Sequence, residues 1–70
     1  MKFNSIKRRS DGRVEIVIEK RFLFRRGKVH YVSHSSNPGT VWYRLPEYKR
    51  PGTMAEYELT ELYVKHGRKL

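Results

Sequence analysis

Seventy residues carrying 16 Lys and Arg against 7 Asp and Glu, a net charge of +9, make one small basic domain spanning residues 1–70. A chain this short buries only about 60% of its unfolded surface, and with no cysteine it has neither a disulfide framework nor a thiolate metal site to reinforce it. No apolar run approaches the ~20 residues of a membrane span, and the first residues lack the apolar core of a secretory signal, so a soluble cytoplasmic protein is expected, with no membrane partner.

The charge is uneven. Residues 1–28 hold ten of the sixteen bases and three of the seven acids, whereas residues 54–70 hold three of each. A domain this basic expects an anionic partner, most often nucleic acid. Its 13% aromatic content argues against a disordered basic tail.

In chain order, residues 2–8 offer Phe3 and Ile6 for a short edge strand that enters the next element through Ser10-Asp11-Gly12; the alternative is a flexible arm over residues 1–12. From Gly12 the pattern has period two. Val14, Ile16, Ile18, Phe22 and Phe24 take even positions, with Lys20 as the one breach, where a bulge or bend is expected. Glu15, Glu19, Arg21 and Arg25 take odd ones. That is strand alternation. Arg26-Gly27 has the form of a two-residue hairpin turn, which pairs Phe24 with Val29 and Phe22 with Tyr31 and puts all four on one face. After the Asn37-Pro38-Gly39 loop, residues 40–45 read as a third strand. Val41, Tyr43 and Leu45 form the better core set, which turns Trp42 and Arg44 outward.

Beyond Pro51-Gly52 the period changes. Thr53 and Glu56 have capping-box spacing, acids crowd the start and bases the end, Glu61 and Lys65 are an i,i+4 pair, and Gly67 fits a stop. Ala55, Leu59, Leu62, Tyr63 and His66 share one face of a helix over about 54–66. The fold expected is α+β: a three- to four-stranded antiparallel sheet, a β-hairpin plus a third strand, packed on one C-terminal helix. If the last segment is instead extended, since Tyr57 and Leu59 also alternate with acids, the chain becomes a small all-β SH3-like barrel.

No constellation suited to catalysis is expected. Asp11 fits a turn, Ser33, Ser35 and Ser36 beside His34 fit a loop, and His66 fits helix packing. His30 and His34 on one extended strand stand roughly 13 Å apart, too far for one ion. No metal, cofactor or small-molecule substrate follows, and no Gly-rich phosphate loop is present. A binding protein is expected, not an enzyme.

Two binding functions compete. In the first, the sheet face away from the helix presents Arg21, Arg25, His30, Trp42 and Arg44, with Trp42 as a stacking platform. Lys7, Arg8, Arg9 and Arg13 at one end, and Arg26 and Lys28 at the hairpin tip, extend a phosphate track for single-stranded or duplex nucleic acid, as in a regulator of transcription or nucleic-acid metabolism. In the second, the chain is a protein-binding effector of the phage type. It docks on an acidic surface of a nucleic-acid machine such as RNA polymerase, with Tyr57 and Val64 on the helix as contacts and the charge as steering.

Overall fold

The computed structural model describes residues 2–69. It is α+β: four antiparallel strands, β1 (Lys2–Arg8), β2 (Val14–Phe22), β3 (Arg25–Ser33) and β4 (Trp42–Leu45), in the order β1-β2-β3-β4, then helix α1 (Thr53–His66) and a short 3₁₀ turn (Gly67–Lys69). The sheet is an open meander, so the SH3-like barrel is not formed. Residues 2–8 are a paired edge strand, not a loose arm. They join β2 through a turn in which Gly12 adopts φ 89° and Asp11 Oδ1 accepts the Arg13 N–H at 3.0 Å.

The helix lies on the face carrying the even positions of β2. Val14, Ile16, Ile18, Tyr31, Trp42 and Leu59 form the buried cluster, with Phe3, Ile6, Val29, Leu62 and Tyr63 packed against it. His66 stacks on Phe3, ring centroids 4.0 Å apart and 7° from parallel, which fastens the end of α1 to the edge strand. Each large apolar side chain fully buried here stabilises by roughly 1.5–3 kcal/mol. The N-terminus of α1 is not built as a capping box. Gly52 is the N-cap and supplies no side-chain bond, and Glu56 pairs instead with Arg50 at 2.7 Å. Gly67 ends the helix in αR geometry, and a Cβ there would meet the Tyr63 ring at 2.9 Å; closeness of approach, not a left-handed φ, accounts for the glycine.

Two expected registers are corrected. The β2–β3 turn is Leu23-Phe24, not Arg26-Gly27; Ile18 pairs with Val29, Ile16 with Tyr31, and Phe22 with Arg25. A turn at 26–27 would have set Ile18 against Ser35 and Ile16 against Asn37, leaving the aliphatic half of β2 without an apolar partner. The shift conserves parity, so the even positions of β2 still face the helix. Pairing across Lys20 is regular, opposite Gly27, and the irregular register lies between Phe3 and Ser5 of β1. The Phe22 side chain lies outside the described residues.

The second correction is in β4. Trp42 opposes Ser33 and Arg44 opposes Tyr31, which puts both on the helix side, and Trp42 is fully buried. Its Nε1–H donates to Thr60 Oγ1 of α1 at 3.2 Å. The indole is the largest apolar surface in the chain and has a donor to satisfy; a position beneath the helix answers both needs. Tyr43 takes the opposite face, where its hydroxyl meets His34 Nδ1 at 3.0 Å.

Candidate functional site

The sheet face away from the helix is not a bare cationic platform. Cross-strand pairing places Lys7, Glu15, His30, Val32 and Tyr43 on it. At its centre Val32 is fully buried and Glu15 is only 7% exposed. Three bases converge on the Glu15 carboxylate: His30 Nδ1 at 2.9 Å, Arg9 at 3.6 Å and Lys7 at 4.0 Å. Arg13 donates through Nε to the Ser33 carbonyl at 2.7 Å, and its guanidinium lies 5.9 Å from the centroid of the Tyr43 ring. Arg8 donates to the carbonyls of Gly12 at 2.6 Å and Ser36 at 3.0 Å. The N-terminal bases and His30 therefore hold the fold together at this end, and this is a role the alternating pattern does not reveal.

Glu15→Gln keeps the shape of the side chain and removes the charge that three bases share. Losing these charge-assisted contacts is expected to cost about 1–3 kcal/mol. For a domain of this size each kcal/mol lowers Tm by roughly 4–8 °C. A thermal melt with unchanged Tm would show the carboxylate to be dispensable.

The remaining cations gather elsewhere. β1 pairs with β2 only as far as Glu19, and β4 pairs with β3 only as far as His30. Past those points the rungs Lys20–Gly27, Arg21–Arg26 and Phe22–Arg25 have no neighbouring strand among the described residues and form a two-stranded arm closed by Leu23 and Phe24. Three rungs reach about 10 Å at the rise of an antiparallel strand. Residues 20–28 contain Lys20, Arg21, Arg25, Arg26 and Lys28 and no acid. Among the described residues, no hydrogen bond or ion pair within the protein engages any of these five side chains.

Register decides how they are arrayed. Arg21, Arg26 and Lys28 share the face away from the helix, whereas Lys20 and Arg25 share the other. Arg25 was expected beside Arg21; because the Leu23-Phe24 turn comes directly before it, it opens β3, pairs with Phe22, and its side is reversed. The arm is thus cationic on both faces. Its tip is apolar and bare: Leu23 is 89% exposed and Phe24 99%.

Where the arm meets the body, Lys20 lines a cleft of about 250 Å³ together with Arg44, Lys49 and Arg50. Arg44 and Lys49 are joined by paired backbone hydrogen bonds. Hydrogen bonding to the Glu56 carboxylate holds the Arg50 guanidinium above its usual pKa. Along α1, Met54, Tyr57 and Val64 are exposed, and a hydrogen bond to Glu61 raises the pKa of the Tyr57 phenol. No cluster of three or more His, Asp, Glu or Cys suited to a metal occurs among the described residues, and no helix among them is long and apolar enough to cross a membrane.

Of the residues singled out by sequence, the structure brings Arg21, Arg25 and Arg26 together on the arm with Lys28 at its base, ties Lys7, Arg8, Arg9, Arg13 and His30 into the body, and buries Trp42. Leu23 and Phe24 were missed as site residues because alternation reads them as strand interior. The signal available was the absence of any apolar partner for Phe24 once Ile18 had claimed Val29. No protein-family model, no curated protein and no solved structure matches this chain, so its own residues alone describe the site.

Proposed function

We propose that this protein binds nucleic acid through the β2–β3 arm and acts, without catalysis, as a small regulator of transcription or nucleic-acid metabolism in the cytoplasm. One observation carries the reading: four cations on both faces of a two-stranded arm, with Lys28 at its base, no acid in residues 20–28, and no ion pair or side-chain hydrogen bond to any of the five among the described residues. Unpaired like charges held this close repel one another and cost stability. Their concentration where neither the helix nor a third strand needs them is explained by a polyanion that neutralises them on binding, with release of its counterions. A β-ribbon is one of the elements that enter a groove of duplex DNA.

The test is an NMR chemical-shift titration with a short DNA duplex and with a single strand. Shifts are expected to concentrate in residues 20–28 and in the cleft beside Lys20, with little change at Lys7, Arg9 and His30. Shifts centred on the Glu15 cluster, or none at all, would overturn the reading.

A second reading has an observation of its own. Met54, Tyr57 and Val64 project from α1 as exposed apolar side chains beside Glu58 and Glu61. In this reading they dock on a protein of a nucleic-acid-processing complex while the arm steers towards its acidic surface. Recovery of the same proteins from lysate with and without nuclease, lost on Tyr57→Ser with Val64→Ser, would favour it over direct binding.

A further inference from the structure

The tip of the arm breaks two local rules at one place. Leu23 sits at φ 50°, in the left-handed region that side chains avoid, at the first of two turn positions, where a tight hairpin of this kind takes glycine. Leu23 and Phe24 are also among the most exposed apolar side chains described, so no burial within the chain compensates for the conformation. A Gly-Asn pair would make the better turn. Sites where local preference is overridden without an internal gain are where function is expected.

The surroundings of the tip say what it meets. Directly behind it, Arg21 and Arg26 stand on one face and Lys20 and Arg25 on the other. A single strand offers one phosphate backbone and needs one cationic face. A duplex groove has a phosphate backbone on each wall, and a ribbon charged on both faces meets both.

We propose that the tip is a wedge: in a groove of B-form DNA, Leu23 and Phe24 enter between adjacent base pairs while Arg21 and Arg26, and Lys20 and Arg25, hold the two backbones. Apolar wedges of this kind unstack a base step and bend the duplex. Pyrimidine–purine steps such as TA unstack most readily, so they are the preferred point of entry. This rests on the nucleic-acid reading above and adds the form of nucleic acid, the mode of contact and the bent product.

The experiment uses a DNA duplex of about 20 base pairs with 2-aminopurine at a central TA step and a fluorophore pair at its ends. The full chain is compared with Leu23→Gly/Phe24→Asn, which keeps every charge and installs a favoured turn, and with Phe24→Ala, which leaves Leu23 in place. The wild-type chain is expected to raise 2-aminopurine fluorescence and bring the ends closer. The double variant should melt no lower than the wild type, bind with the same dependence on salt, and lose both signals; Phe24→Ala should lose part of each. Binding by the wild type without unstacking, or unstacking that survives in the double variant, overturns the wedge but leaves nucleic-acid binding intact. No binding to any duplex or single strand at low salt removes both. Association with phosphatidylserine vesicles that depends on Leu23 and Phe24, with 2-aminopurine unchanged, makes the tip a lipid anchor and overturns the wedge as well.

Discussion

Trp42→Ala is expected to unfold this domain. The indole is fully buried in the cluster formed with Val14, Ile16, Ile18, Tyr31 and Leu59, and its Nε1–H donates to Thr60 Oγ1, whose single O–H lies within reach of the Glu56 carbonyl at 2.9 Å and the Gly39 carbonyl at 3.1 Å and donates to one of them at a time. One side chain therefore links β4, the middle of α1 and the loop before β4. Truncating a buried Trp to Ala typically costs about 3–5 kcal/mol. Net stability runs at roughly 0.05–0.15 kcal/mol per residue, so 70 residues hold only about 3.5–10 kcal/mol. The loss is comparable with the whole. Circular dichroism at 25 °C should show a largely unfolded chain, or one whose Tm has dropped by tens of degrees. Trp42→Phe keeps most of the apolar area, loses the bond to Thr60, and should fold with a reduced Tm. If Trp42→Ala folds with near-native Tm but binds single strands poorly, the indole is a surface platform after all and the register of β4 is wrong.

How the sequence misplaced Trp42 shows what alternation can and cannot decide. The parity of β2 was legible because three β-branched residues, Val14, Ile16 and Ile18, all fall on even positions, and a one-residue slip would expose them together. In β4 both parities carry an aromatic, Trp42 with Arg44 or Tyr43 with Leu45, and apolar count alone favours the wrong one. What settles it is a long-range partner, Thr60, eighteen residues away, which period and propensity do not register. The hairpin turn failed for a related reason. Gly27 carried the local signal, but the pairing of Ile18 with Val29 and Ile16 with Tyr31 sets the turn at Leu23-Phe24; a glycine there would serve that register equally well, and the left-handed φ falls on Leu23 instead. The helix was legible almost to the residue, because the Pro51-Gly52 break, the stripe through Leu59, Leu62 and Tyr63, and the order of acids before bases all agree. For the site, charge was legible as a quantity but not as an arrangement. Lys7, Arg9 and His30 look no different in sequence from Arg21 and Arg26, yet the first three surround the buried Glu15 carboxylate, whereas the last two make no ion pair or side-chain hydrogen bond among the described residues although Glu19 shares their face.

That difference makes the response to removing arm charge specific. Replacing Arg21, Arg25 and Arg26 together by Ala is expected to abolish most nucleic-acid binding while leaving the fold in place, since none of the three bonds to the rest of the described protein. Each phosphate neutralised on duplex DNA contributes about 0.9 to the slope of log K against log salt. If all five cations of residues 20–28 engage phosphate, the wild-type slope is about −4.5 and affinity falls roughly 500-fold between 50 and 200 mM salt. With two cations left the slope is about −1.8, and the same change in salt costs only about tenfold. Fluorescence polarisation of a labelled duplex across a salt series measures both. The control is Lys65→Ala with Arg68→Ala, two exposed cations in the last turn of α1 and the 3₁₀ turn after it. They change the net charge comparably without touching the arm, and their slope should match the wild type. Were affinity to follow net charge alone, so that the helix pair weakened binding as much per charge as the arm triple, the attraction would be diffuse and the arm would have no special part in it. A slope kept by the arm triple but lost on replacing Lys7, Arg8 and Arg9 would return the phosphate track to the N-terminal strand, where their bonds to Glu15, Gly12 and Ser36 would have to open before DNA could take them.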